Sequence, residues 1–129
     1  MNGPIIKPIS KTMMVLVEDF KFKAPFALVL DDDDLMQELS EKDHITIKAG
    51  FEFDGASIPR LFHSLIGSPF TPAYIEAALI HDFCCVNDLD GWVRDEMFKD
   101  NLRDNGVSTI KSGAMYKAVV AYRWFARVL

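Results

Sequence analysis

Residues 50–60 read GFEFDGASIPR, and residues 77–83 read AALIHDF. The first stretch starts with the alternation of apolar and polar side chains that is typical of a β-strand, and Asp54 then opens a turn. Pro59 lacks the N–H that a central strand needs, so the strand must end before it. The second stretch is a helical pattern that is apolar apart from one histidine and one aspartate. Buried polar groups need partners, so we expect the end of the strand and this helix to meet.

The composition limits the class of protein. With 129 residues, the chain is long enough for one domain with a hydrophobic core and too short for two ordinary domains. Its net charge of −5 argues against general binding of nucleic acids. No apolar run is long enough to span a bilayer, and no secretory signal is recognisable at the N-terminus. The two cysteines are adjacent, which favours a reduced, cytosolic setting.

Strand-like patterns come first along the chain and helical patterns follow. The sequence predicts strands over 12–18, 20–23, 26–30, 44–48 and 51–54, and helices over 71–86, over 91–105 and from 108 to the end. The predicted fold class is therefore α+β: an N-terminal antiparallel β-rich half, followed by three helices packed on it in a single domain. We expect an extended lead-in over 1–11, a β-rich half over 12–54 and a helical half over 72–129.

Residues 31–34 are four consecutive aspartates. A calcium-binding loop would need acidic residues at alternating positions, and that spacing is absent here. The pattern favours a solvated turn whose last carboxylates stabilise the N-terminus of a short helical segment over 35–39.

Three further carboxylates and one imidazole fall in apolar surroundings. His81 and Asp82 lie on the first predicted helix, Asp95 lies on the buried stripe of the second, and Asp54 ends the strand. An ionised carboxylate alone in a core costs several kcal/mol, so Asp95 needs a partner. The sequence offers three candidates for that partner, namely His81, Arg94 and Arg60.

Each of these residues also has a structural interpretation. Asp54 and Ser57 are suited to capping the turn that follows the strand, and a single core histidine is usually hydrogen-bonded without any further role. A functional interpretation rests on the combination, because His81, Asp82 and Asp95 together offer nitrogen and oxygen ligands to a divalent metal ion. A nucleophilic pair of Cys84 with His81 is a weaker alternative, because no group that would orient the imidazole is evident.

The last predicted helix is basic and rich in aromatic residues. Residues 106–129 contain four basic residues and no acidic one, a charge of +4 that leaves −9 on the remainder. We expect one face of this helix to be buried, with Met115, Ala118, Val119, Tyr122, Phe125, Ala126 and Leu129. The opposite face carries Tyr116, Val120, Trp124 and Val128 beside Lys117, Arg123 and Arg127. An aromatic and basic surface of this kind favours docking to an acidic partner, and a solvated helix face is the alternative.

The stretches at 50–60 and 77–83, with Asp95, Phe98 and the Gly-Val pair at 106–107, resemble an uncharacterised family from tailed bacteriophages and prophages, the domain of unknown function 1353. The resemblance covers roughly residues 44–120. It places the family's recurrent positions on Asp54, Ser57, Pro59, Arg60, His81, Asp82 and Asp95. The chain departs from the family pattern at the adjacent cysteines 84 and 85, where the family usually has a leucine and an aromatic residue.

Two functions follow as hypotheses. The first is a non-catalytic virion protein of the tail or baseplate, or an assembly component, in which the polar cluster is a buried clasp. It would occur in the host cytoplasm and in the particle, and would bind other phage structural proteins or a second copy through the last helix. The alternative is a metal-dependent hydrolase of peptidoglycan or another amide. The candidate catalytic residues are His81, Asp82, Asp95 and Asp54, and the candidate binding residues are Ser57, Arg60, Lys117, Arg123, Trp124 and Arg127.

Overall fold

The computed structural model describes residues 3–11, 13–54 and 71–128, with the backbone alone at 126–128. Antiparallel strands occupy the N-terminal half, and consecutive helices make up the C-terminal half. The predicted α+β class with one domain is confirmed.

The strands form two antiparallel sheets in the described part of the chain. They are β1 (Ile6–Pro8), β2 (Met13–Leu16), β3 (Phe20–Phe22), β4 (Ile45–Ile47) and β5 (Glu52–Asp54). One sheet has the order β1-β2-β5, and the other pairs β3 with β4. Alternate residues of β2, β4 and β5 are buried, as the sequence pattern predicts. The predicted lead-in over 1–11 is only partly correct, because β1 lies within it and pairs with β2.

The segment that connects β3 to β4 is more helical than predicted. The expected strand over 26–30 is wrong, because Phe26–Leu28 is a single 3₁₀ turn that follows Pro25. The aspartate block begins the helix α1 (Asp33–Lys42), and the side chain of Asp32 caps it by accepting a hydrogen bond from Leu35 N. This helix extends beyond the predicted segment at both ends.

The helix α2 (Pro72–Val86) lies at the centre of the molecule. One of its faces, with Leu79, Ile80 and Cys84, packs into the core formed with the sheets. Another face, with Tyr74 and Ala77, packs into a second core formed with the last two helices. A helix that is buried on two sides must be apolar nearly all the way round, as its sequence is.

The helices α3 (Gly91–Asp104) and α4 (Thr109–Val128) complete the fold. The Asp90 side chain caps α3 by accepting a hydrogen bond from Val93 N. Gly106 follows the helix with φ of 92°, a left-handed conformation that suits glycine. The predicted bounds of the three C-terminal helices are confirmed to within one residue at the ends that the structure describes. No helix in the described ranges is long and apolar enough to cross a membrane.

Leu79 tests the central position of α2. Because its side chain is fully buried, we expect Leu79→Ala to lower the free energy of unfolding by about 2–5 kcal/mol in urea denaturation. Val86→Ala on the same helix is the control, because Val86 is 70% exposed and should change stability by less than about 0.5 kcal/mol. Equal effects of the two substitutions would contradict the burial of α2.

Candidate functional site

A cavity of about 680 Å³ lies beside α2, α3 and α4. Its lining includes Asp54, His81, Asp82, Cys85, Asp95 and Arg123. The four residues that the sequence analysis selected as catalytic candidates therefore border one space, although they come from β5, α2 and α3. Two of the contacts in the described part of the chain join these residues in pairs, one between α2 and α3 and one between α2 and β5.

The first contact joins α2 to α3. His81 Nε2 donates to Asp95 Oδ1 at 2.8 Å, and both side chains are almost completely buried. The imidazole also packs against Phe98, with ring centroids 5.0 Å apart. Ala77 and Ala78, about one turn earlier on α2, are buried too. Asp95 thus lies in the core, as predicted, with His81 as its partner.

Arg123 of α4 supplies the second partner of Asp95. Its Nε donates to Asp95 Oδ2 at 2.8 Å, so each carboxylate oxygen accepts one strong hydrogen bond. Arg94, which the sequence offered for this role, instead donates Nη1 to the Leu89 carbonyl. The sequence signal for Arg123 is Gly91, which lies one helical turn before Asp95. A Cβ at Gly91 would lie 3.1 Å from the Arg123 side chain. Glycine at this position therefore leaves room for Arg123 to extend toward Asp95.

His81, Asp95 and Arg123 form a hydrogen-bonded cluster, and the contacts within it favour the charged form of each side chain. Burial alone lowers the pKa of His81, but the hydrogen bonds to Asp95 and Cys85 outweigh it and raise that pKa from 6.5 to about 9. Burial opposes ionisation of Asp95, yet the hydrogen bonds from His81 and Arg123 hold its pKa below the usual range. At neutral pH the cluster is therefore an imidazolium, a carboxylate and a guanidinium.

The second contact joins α2 to the sheet. Asp82 Oδ2 accepts a hydrogen bond from the backbone N–H of Asp54 at 3.0 Å, where β5 ends. Asp82 thereby fixes the end of the strand relative to the helix that carries His81. Ser57 and Arg60, the predicted binding residues that follow this strand, lie outside the described residues.

The predicted metal ligands do not form a metal site in the described ranges. No group of three His, Cys, Asp or Glu side chains there is arranged to hold a metal ion. His81 Nε2 and Asp95 Oδ1 bond each other, so the ring nitrogen that faces Asp95 is engaged in a hydrogen bond. The described residues therefore give the divalent metal of the hydrolase hypothesis no site with three ligands.

The predicted docking face of α4 needs correction. Trp124 and Lys117 are exposed, as expected, but Arg123 points inward to Asp95. Tyr122 and Phe125, expected in the core, are 60% and 66% exposed. The physical reason is that Arg123 lies against Gly91, the first residue of α3, so the last turns of α4 extend beyond α3. Arg127 lies on α4, and only its backbone is described.

The raised pKa of His81 predicts a pH-dependent stability. A folded-state pKa above the ordinary value stabilises the fold fully below pH 6.5, and this stabilisation is lost as the pH rises through about 9. We expect the free energy of unfolding in urea to fall by about 3 kcal/mol over that range because of His81. Asp95→Asn should lower stability by about 3–5 kcal/mol at pH 6.5 and remove most of this dependence. Asp100→Asn, an exposed position on α3, is the control, and the same pH dependence in both variants would contradict the cluster.

Comparison with known proteins places the chain in a family. The chain is 43% identical over 77 residues to "Uncharacterized protein y4jT" of Sinorhizobium fredii (strain NBRC 101917 / NGR234), an overlap of 59% of this chain and 23% of that relative. It is 38% identical over 74 residues to "Uncharacterized protein y4iH" of the same organism, an overlap of 55% of this chain and 31% of that relative. The matched region thus spans less than a third of either relative, and no solved structure matches. The model of the family "Protein of unknown function (DUF1353)" matches residues 29–119, and the chain belongs to that family.

Proposed function

We propose that the cavity beside α2, α3 and α4 is a hydrolytic site, in which His81 transfers a proton during cleavage of a carboxylic amide or ester. The observation that carries this proposal is the hydrogen bond from His81 Nε2 to the buried Asp95. A carboxylate that is hydrogen-bonded to one ring nitrogen fixes the orientation of an imidazole, and the other nitrogen can then transfer a proton to or from a substrate. That other nitrogen, Nδ1, lies 3.7 Å from Cys85, a residue that also lines the cavity.

The surroundings of the imidazole support this proposal. A cavity of about 680 Å³ lies within the usual size range of sites for small molecules or for segments of a polymer. A residue with a strongly shifted pKa inside such a cavity is a candidate catalytic group. Arg94 also lines the cavity, and its buried Nε has no acceptor among the described residues. A substrate oxygen near Arg94 would satisfy this donor.

The class of substrate follows from the sequence resemblance to a family of phages and prophages. We propose an amide of the bacterial cell wall, since a phage must breach that wall on entry and on release. The two Sinorhizobium relatives bear names that assign them no activity, so their similarity adds no substrate. The alternative to a virion protein that we expected from sequence is a metal-dependent hydrolase, whereas the reaction proposed here relies on side chains of the protein.

A second candidate is a non-catalytic component of the virion tail, of the baseplate or of particle assembly. It is favoured by the way in which Asp95 accepts hydrogen bonds from both α2 and α4, which is what a structural clasp requires. The exposed Trp124, Phe125 and Lys117 on α4 would then serve as the surface for other phage proteins or for a second copy. Such a protein would be present in the host cytoplasm and then in the particle.

A hydrolysis assay separates the two candidates. We expect the wild type to degrade cell-wall material in a zymogram, and His81→Gln to reduce the rate by at least about 100-fold, because the proton carrier is lost. His44→Gln is the matched control, since His44 precedes β4 and is not among the residues that line the cavity.

The fold of each variant would be checked by circular dichroism and by its urea midpoint. Wild type and a folded His81→Gln variant that give the same rate would refute the hydrolytic site and leave the clasp.

A further inference from the structure

The two adjacent cysteines have very different surroundings. Cys84 is fully buried in the core between α2 and the sheets, and burial raises the pKa of its thiol to about 12. Cys85 is exposed and lines the cavity. Because the two residues are neighbours on one helix, their side chains leave α2 in different directions. Only the second thiol therefore borders the candidate site.

Cys85 lies one helical turn after His81, on the same face of α2. Its Sγ is 3.7 Å from His81 Nδ1, within reach of a hydrogen bond that involves sulfur. The opposite ring nitrogen is held by Asp95. The result is an ordered series of thiol, imidazole and carboxylate, the arrangement by which a base activates a nucleophile. Cys84, the cysteine that the sequence hypothesis pairs with His81, is buried in the core, whereas Cys85 lies beside Nδ1 and Asp95 orients the ring.

We infer that Cys85 is the nucleophile of the proposed hydrolysis, and that the reaction passes through an acyl thioester on its sulfur. This inference rests on the proposed function, and it specifies that the acyl group is transferred to the protein before it reaches water. The alternative within the same site is a direct attack by water that His81 activates. The position of the thiol favours the covalent route, because Sγ occupies the side of the ring from which Nδ1 would activate water.

The steps balance in atoms and electrons. With the proton that Cys85 and His81 share on His81 Nδ1, Sγ attacks the carbonyl carbon of the substrate, a carbon–sulfur bond forms, and the carbonyl π electrons move to the oxygen. The tetrahedral intermediate collapses, the bond to the amine or alcohol breaks, and the leaving group takes the proton from Nδ1. A water molecule then attacks the thioester and gives one proton to Nδ1. The carbon–sulfur bond breaks, that proton stays on Nδ1 beside the released Sγ, and the carboxylic acid leaves. No oxidant, reductant or metal takes part.

The charged neighbours of His81 suit this role. Asp95 of α3 accepts a hydrogen bond from the imidazole ring. Arg123 of α4 donates to the other oxygen of the same carboxylate. The raised pKa of His81 means that the imidazole holds a proton well at neutral pH. An imidazolium is the form of the ring that can protonate the leaving group.

Alkylation tests the activated thiol without any substrate. The folded protein would be treated with iodoacetamide at pH 7, with Cys84→Ser and Cys85→Ser variants to separate the two thiols by intact mass. We expect one added group on Cys84→Ser and none on Cys85→Ser. We also expect the reaction to be about tenfold or more slower when His81→Gln is added to Cys84→Ser. Equal alkylation rates with and without His81 would overturn the inference.

Acyl trapping tests the covalent step. On incubation with p-nitrophenyl acetate, Cys84→Ser should gain the mass of one acetyl group, and Cys85→Ser should gain none. If Cys85→Ser hydrolyses cell-wall material as fast as the wild type, the thioester route is overturned while the proposed function stands. A protein that holds an acetyl group on Cys85 but degrades no cell-wall material supports the nucleophile and contradicts the proposed cell-wall hydrolysis.

Discussion

The carboxylate of Asp95 is buried at the place where α2, α3 and α4 come together, and the surrounding structure has to compensate its charge. Left alone it would cost several kcal/mol, so its two oxygens must both find donors. His81 from α2 and Arg123 from α4 provide them at 2.8 Å each. Because these donors come from two different helices, satisfying one carboxylate fixes the relative positions of three. Residues of all three helices line the cavity beside these side chains.

The sheets are tied to this cluster through α2. Phe53 of β5 is fully buried in the same core as Leu79, and the next residue, Asp54, donates its backbone N–H to Asp82. His81 and Asp82 are consecutive, so one turn of α2 contacts α3 on one side and the end of a strand on the other. The position of the imidazole is consequently determined by both halves of the fold, which is the rigidity that a catalytic group requires.

The sequence was informative where the signal was local. Pro72 at the first turn of α2 and Gly106 after α3 mark ends that depend on backbone chemistry, and they lie where expected. The burial of Asp95 followed from its position on an apolar stripe. Arg123 was missed because its partner is 28 residues away, and a basic residue on a helix is exposed by default. The distinction between Cys84 and Cys85 depends on the direction in which α2 faces the sheets, a tertiary property that spacing alone does not determine.

Nuclear magnetic resonance of the His81 side chain tests the central claim most directly. Long-range proton–nitrogen correlation at pH 7 would show whether both ring nitrogens carry protons, and whether the proton on Nε2 exchanges slowly. The account predicts two protonated nitrogens, with a slowly exchanging Nε2 proton that is lost in a folded Asp95→Asn variant. A ring that titrates near its ordinary pKa of 6.5 and is unaffected by Asp95→Asn would contradict it.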